Sequence, residues 1–175
     1  TSQGFKYWKA RPYLNEEIRN NINSADFLLV PWEDYREGEN VFPDGTSSFV
    51  QYLTERLASN GLTFEIAITD ADYQELSLHA DWMLIADLVV TLALAPLCTS
   101  IIAAYIYDAL GKRRADKATV KSKLTIELDG GRKNVDIDYD GPAATYKETV
   151  NAVLATLVSD THPDDDDEVD HEEAR

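Results

Sequence analysis

The chain is poor in cysteine and in basic residues, and it lacks any glycine-rich phosphate loop. Its one cysteine, Cys98, has no partner for an internal disulfide and cannot by itself build a thiolate zinc site. Cys98 also lies inside an apolar stretch, where a thiol is inert as a nucleophile. Lys and Arg number 16 against 32 Asp and Glu, a net charge of −16. With no basic surplus to displace counterions from phosphates, nucleic acid is not an expected partner. No Gly-rich loop with a lysine is present, and the serines have no nucleophile-elbow context. Residues Thr1 to Tyr13 hold no apolar core of the kind a secretory leader needs. Internal repeats are also missing. These absences leave no catalytic residue, metal site or cofactor to predict.

What the chain has is a run of twenty uncharged residues, Leu88 to Tyr107, closed by Asp87 and Asp108. It is just long enough to cross a bilayer. Around it, the pattern is that of an ordinary α+β domain. Leu14, Ile18 and Ile22 stand four apart, on one stripe of a short helix over 13–23. Phe27 to Val30 is a continuous apolar run ended by Pro31, which suits a strand covered on both faces. Thr46, Ser47 and Ser48 offer an N-cap to a helix bearing Phe49, Val50, Leu53 and Leu57, which closes at Gly61. Leu62 to Ile68 alternates as a half-buried strand does, completing a βαβ unit.

From Asp70 and Asp72 the pattern predicts a long helix reaching Leu110, with Gly111-Lys112-Arg113-Arg114 as its stop. Pro96 interrupts it. One kinked helix and two helices meeting at Ala95-Pro96 both remain open. Val120 to Leu128 and Lys133 to Tyr139 read as a hairpin across Asp129-Gly130-Gly131-Arg132. A final helix follows Gly141-Pro142, with Tyr146, Val150, Val153, Leu154 and Leu157 on one stripe. The stretch 160–175 holds nine acids against one arginine and is expected to be a disordered tail. The expected fold is therefore α+β (or α/β): one domain over 1–159, with a single mixed sheet of about four strands. One βαβ unit and the C-terminal hairpin supply the strands, and the long Pro-interrupted helix and the terminal helix pack on them.

The twenty-residue run decides between environments. A bilayer span would place residues 1 to 87 and 108 to 175 on opposite sides and leave each half a marginal core. Burial within a cytoplasmic protein keeps one sheet intact and is favoured two to one or so over a single-pass membrane protein spanning 88–107. A helix apolar all round needs cover on most faces. Part of this one is therefore expected to be hidden by self-association or by another protein, through Trp82, Leu88, Leu92, Leu94, Ile101, Ile102 and Tyr105.

The acidic, turn-rich loop from Trp32 to Gly45 follows the first strand, where open α/β sheets often place ligand sites. Asp34 (or Glu33) could serve there as a base, or hold a hard cation with Asp44. Ser47 and its neighbours at the helix start could receive an anion on free amides. A solvated loop and an ordinary N-cap explain the same residues more simply. Asp72, Glu75 and His79 would share a helix face, again with plain exposure as the simpler account. His162 and His171 lie in the acidic tail.

The order of a Trp-bearing apolar helix (Trp82 to Leu110), the basic stop, a hairpin with a Gly-Gly turn (Leu124 to Tyr139) and a last helix (Pro142 to Val158) resembles a known group. It is similar to the effector-associated constant-component domains of bacterial and archaeal conflict systems, over about Tyr73 to Val158. The resemblance rests on element order and implies a non-enzymatic accessory module; it carries over no catalytic residue and does not cover the βαβ unit. The function expected is a non-catalytic interaction or assembly module, which the resemblance would make such an accessory component. The rival readings are the single-pass membrane protein and a hydrolase or nucleotide-processing enzyme built on Asp34, Asp44 and Ser47.

Overall fold

The computed structural model describes residues 3–77 and 82–160. Two short helices, α1 (Phe5–Lys9) and α2 (Glu16–Ser24), precede strand β1 (Phe27–Val30). Then come β2 (Phe42–Pro43), α3 (Thr46–Ala58), β3 (Phe64–Ile66), β4 (Glu75–Leu76), β5 (Trp82–Leu84) and β6 (Asp87–Thr91). Helix α4 (Ala95–Leu110), a single turn α5 (Lys112–Ala115), β7 (Thr119–Leu128), β8 (Lys133–Pro142) and α6 (Tyr146–Asp160) complete the chain. The main sheet is mixed, in the order β3-β1-β6-β7-β8, with β5 also on β7, on the side that carries β6. β1 and β3 run parallel around α3, the expected βαβ unit, and β7 and β8 form the expected antiparallel hairpin. β2 and β4 make a separate two-stranded sheet.

The α+β class stands, but the sheet has six strands because the described residues of 70–94 are not helical. β5 and β6 come from the segment expected to begin a long helix. Residues 88–90 are buried on both faces of the sheet. Leu88 and Val90 face α3, α4 and α6, whereas Val89 faces α1 and α2. A central strand needs such a continuous apolar run, and periodicity alone does not separate it from a buried helix. Helix α4 starts at Ala95 with Pro96 in its first turn, where the missing N–H costs nothing. The Leu88–Tyr107 run is thus a strand, a turn and a helix. No described helix is long and apolar enough to cross a membrane.

One face of the sheet carries the larger core. Phe27, Leu29, Leu124, Ile126 and Ile137 pack there against Phe49, Leu53 and Leu57 of α3, Cys98, Ile102 and Ile106 of α4, and Tyr146, Val150 and Leu154 of α6. The other face is covered over β1 and β6 by α1, α2 and the turn between them, through Trp8, Leu14, Ile18 and Ile22 on Leu28, Val30 and Val89. Beyond that cover the second face of β7 and β8 bears Lys121, Lys123, Asp136, Asp138 and Asp140, most of them exposed or half-exposed.

β5 and β6 act as one strand with a fault. Leu84 pairs with Lys121 and Leu88 with Leu124, so four steps on one strand oppose three on β7. The extra residue lies at Ile85–Ala86, where the Ile85 amide still donates to the Lys121 carbonyl at 3.0 Å. This is a bulge, a device that redirects a strand next to a site and is uncommon in parallel pairs. At the hairpin, Asp129, Gly130 and Gly131 take φ of 53°, 63° and 87°, which is why the turn needs two glycines.

Candidate binding groove on the open sheet face

Past β1 the chain leaves the sheet at Pro31 and doubles back on itself at Val41. Trp32 and Val41 close this excursion with two backbone hydrogen bonds, 2.8 and 3.1 Å. Inside it, the Tyr35 amide donates to Glu39 O at 2.9 Å and the Glu39 amide to Arg36 O at 2.8 Å. The rings of Trp32 and Tyr35 stack, 5.9 Å apart with 28° between planes. Glu33 anchors the loop to the N-terminal region, accepting from Tyr7 Oη at 2.6 Å and Tyr13 Oη at 3.0 Å and pairing with Arg11 at 3.0 Å. Burial and the bond to this carboxylate push the Tyr13 hydroxyl well above its ordinary pKa. The loop is therefore a fixed wall, and Glu33 is engaged in building it.

Across from this wall stand Trp82 and Leu84 of β5. Between them lie Lys121, Ser122 and Lys123 of β7 and Asp138, Tyr139 and Asp140 of β8, around a groove of about 490 Å³. A second cleft of about 390 Å³ shares Trp32, Asp87 and Lys123 with it and extends toward Tyr7, Glu33, Asp34 and Thr125. Lys121 pairs with Asp140 at 3.5 Å and lies 4.3 Å above the Trp82 ring. Lys123 pairs with Asp136 at 3.7 Å, and Asp136 also accepts from Thr125 Oγ1 at 2.7 Å. Arg36 lies 5.6 Å from the Tyr35 ring centre.

Asp87 sits where the two clefts meet, directly after the bulge. Burial pushes its carboxyl up to about 7, against the pull of Lys123 and a hydrogen bond from the Trp32 indole; Asp138 and Asp136 push the same way as burial. A half-buried acid whose carboxyl is pushed up toward neutrality beside a cleft is a common feature of functional sites. In the sequence Asp87 stands only as the boundary of the apolar run. The signal for it was an acid directly joined to Leu88-Val89-Val90, once that run is recognised as a central strand.

The residues expected to meet a partner are dispersed. Trp82 lines the groove, but from a strand. Leu88, Ile101, Ile102 and Tyr105 are buried in the chain's own core, so folding already covers them. Tyr105 packs its ring on Phe49 and Tyr52, at 4.9 and 5.4 Å. Leu92 and Leu94 are half-buried in the turn before α4. The loop trio separates too. Asp34 lines the cleft beside Asp87, in a left-handed conformation with φ 52°. Asp44 and Ser47 are exposed and border neither cleft. The start of α3 does receive an anion, but it is the chain's own: Glu75 accepts from the Ser47 amide at 2.6 Å, the Gly45 amide at 3.1 Å and Tyr73 Oη at 2.7 Å. Burial raises the Glu75 pKa, but these bonds outweigh it and hold the carboxyl below its usual range.

Asp72 lies in a turn, accepting from Thr69 Oγ1 at 2.9 Å, and Glu75 lies in β4, so neither is on the expected helix. His79, the third member of that trio, and the stretch 161–175 with His162 and His171 lie outside the described residues. Among the described residues no three His, Cys, Asp or Glu gather in a way that could hold a metal ion. Cys98 is buried, and burial pushes its thiol up to about 12. Comparison with protein-family models, with curated proteins and with solved structures found no match for this chain.

Proposed function

We propose that the protein is a non-catalytic interaction module, an accessory component of a larger cytoplasmic assembly, that holds another protein in the groove between loop 32–41 and strands β5, β7 and β8. The observation that carries this reading is the placement of two of the three well-exposed aromatic side chains among the described residues, the third being Tyr107 on α4. Tyr35 and Trp82 are 39 % and 43 % exposed, and both border this one groove. Large aromatic side chains left in water beside paired charges are the usual anchors of protein interfaces. Helix α4, by contrast, keeps most of its apolar surface inside the chain. A conflict-system assembly is the setting that the element-order resemblance implies, although its first element now begins at Ala95 and not at Trp82.

The test is affinity capture of the intact protein from its native cells, followed by reconstitution with the purified partner. Replacing Tyr35 and Trp82 together with alanine should leave the melting temperature within a few degrees of wild type and weaken the complex at least tenfold, roughly the loss of one anchor. An unchanged dissociation constant would sink the proposal.

Asp87 favours a second reading, an enzyme whose general base lies at the inner end of the groove. Asp87→Asn separates the two. A binding module tolerates the neutral isostere, whereas a base-dependent reaction does not.

A further inference from the structure

Strand β8 is ten residues long and is paired along one side only, with β7. Among the described residues no strand is bonded to its outer side. An edge of this length, roughly 33 Å, is a ready template for another strand unless something blocks it. α6 packs with the hairpin on the core face, where Ile137 and Tyr139 are buried. On the opposite face β8 carries Asp136, Asp138 and Asp140, at every second position. Asp136 and Asp140 are paired with Lys123 and Lys121. Asp138 is exposed, stands opposite Lys123 in register, and has no ion pair among the described residues.

This spacing selects the occupant. Take a second copy of the chain, added antiparallel to β8 with both core faces on the same side. A twofold through Asp138 sets Asp138 against Asp138 and Asp136 against Asp140. A twofold through Ile137 sets Asp136 against Asp138. Each face-aligned register with its twofold between Asp136 and Asp140, the registers that use the middle of the edge, thus opposes like charges, which destabilises the pair. A register shifted by one residue would turn the copy's core face into water. Self-pairing is therefore disfavoured, while a strand with Lys or Arg at alternate positions gains a cross-strand ion pair where a copy would meet repulsion. Added strands draw affinity from main-chain hydrogen bonds and specificity from alternate side chains.

We infer that the outer edge of β8, from Val135 to Gly141, receives an extended basic segment of the partner as an added strand, with lysine or arginine at every second residue set against Asp136, Asp138 and Asp140. This rests on the interaction-module reading and names the chemistry of the partner.

The test uses the intact, isotope-labelled protein near pH 7 and about 150 mM salt, where exposed charges more than about 8 Å apart are screened. The probe is the capped peptide Thr-Lys-Val-Lys-Val-Lys-Thr at millimolar concentration. Controls replace its lysines with glutamate, or methylate its backbone nitrogens at alternate positions in each of the two phases. The lysine peptide should slow hydrogen exchange at least tenfold at the β8 amides that point away from β7. The glutamate peptide should not, one methylated phase should lose the effect, and Asp138→Lys should weaken binding at least tenfold. Asp138 is exposed, so this variant should keep the fold, which the unchanged amide spectrum of the core would confirm. No protection at β8, equal binding by the glutamate peptide, or full binding by both methylated peptides would overturn the inference. If β8 fails while Tyr35→Ala with Trp82→Ala still abolishes the native complex, the edge inference falls and the groove reading stands. If the peptide protects β8 but those alanines leave the complex intact, the groove reading is the one that falls.

Discussion

Replacing Asp87 with asparagine should stabilise the protein at neutral and alkaline pH and leave little gain in acid. The folded protein holds the Asp87 proton up to a pH of about 7, whereas an unfolded chain releases it near 3.8. Between these values the native state binds one more proton than the unfolded state, so unfolding free energy falls by about 1.36 kcal/mol per pH unit. The contribution is complete below pH 4 and is gone once pH has risen past 7. Between pH 5 and 8 it amounts to about 3 kcal/mol at the upper bound, from roughly two units of full slope and the rounded end. Asparagine does not titrate, and its amide oxygen can still accept from the Trp32 indole. The stability difference between variant and wild type should therefore grow by about 3 kcal/mol from pH 5 to 8, a large share of what a domain of this size commonly has. Subtracting wild type cancels the other titrating groups, Glu75 among them, to the extent that they are not coupled to Asp87. Urea unfolding of both proteins at four or five pH values measures it, and the carbon-13 shift of the Asp87 carboxyl reports the titration directly. A difference that stays flat across this range, with the carboxyl titrating near 4, would show Asp87 to be solvated through the groove and would remove the basis for the second reading.

The cap on α3 predicts that Glu75→Ala costs about 1 kcal/mol at neutral pH, typical of a lost N-terminal cap. Because the bound Glu75 carboxyl is held below its usual range, that cost should shrink as pH falls through the titration of the folded group, which thermal melts at pH 7 and pH 3.5 would show. Ile102→Ala, in the α4 core, should lose about 2–5 kcal/mol in urea unfolding, whereas Trp82→Ala should lose under about 1; equal losses would contradict the division between core and groove. Gly131→Ala, at φ 87°, should cost about 1–2 kcal/mol by the same measurement. Cys98 should resist a thiol reagent until the protein unfolds, so that labelling at pH 8 follows the urea transition; prompt labelling of the native protein would contradict its burial.

Local pattern was enough for the elements whose two faces differ. The pair Ile18 and Ile22 of α2, the alternation of the β7–β8 hairpin and the Phe49, Leu53, Leu57 face of α3 each meet core on one side and water on the other, and each appears where it was expected, whereas Leu14 is buried just ahead of the Asn15 N-cap and not on the helix. The described residues of 70–94 have no such asymmetry. β4 and β5 have two and three residues, too few to show a period, and β6 is buried on both faces, which erases it. Length then favoured a helix, because twenty uncharged residues are many for a strand, and the turn at Leu92–Leu94 carries no glycine, proline or polar residue to announce itself. Its backbone is satisfied by tertiary partners: the Leu92 amide donates to Glu127 O on β7, a bond invisible to local sequence. The groove was hidden by the same error. Trp82 and Asp87 become neighbours of Trp32 and Lys123 only after 82–91 joins the sheet between β1 and β7. A helix there would have scattered them around its circumference. The sequence could flag the exposed tryptophan and the acidic loop separately, but the strand that brings them together is set by Leu88, Val89 and Val90 fitting between Leu28 and Thr125, a match across the fold and not along the chain.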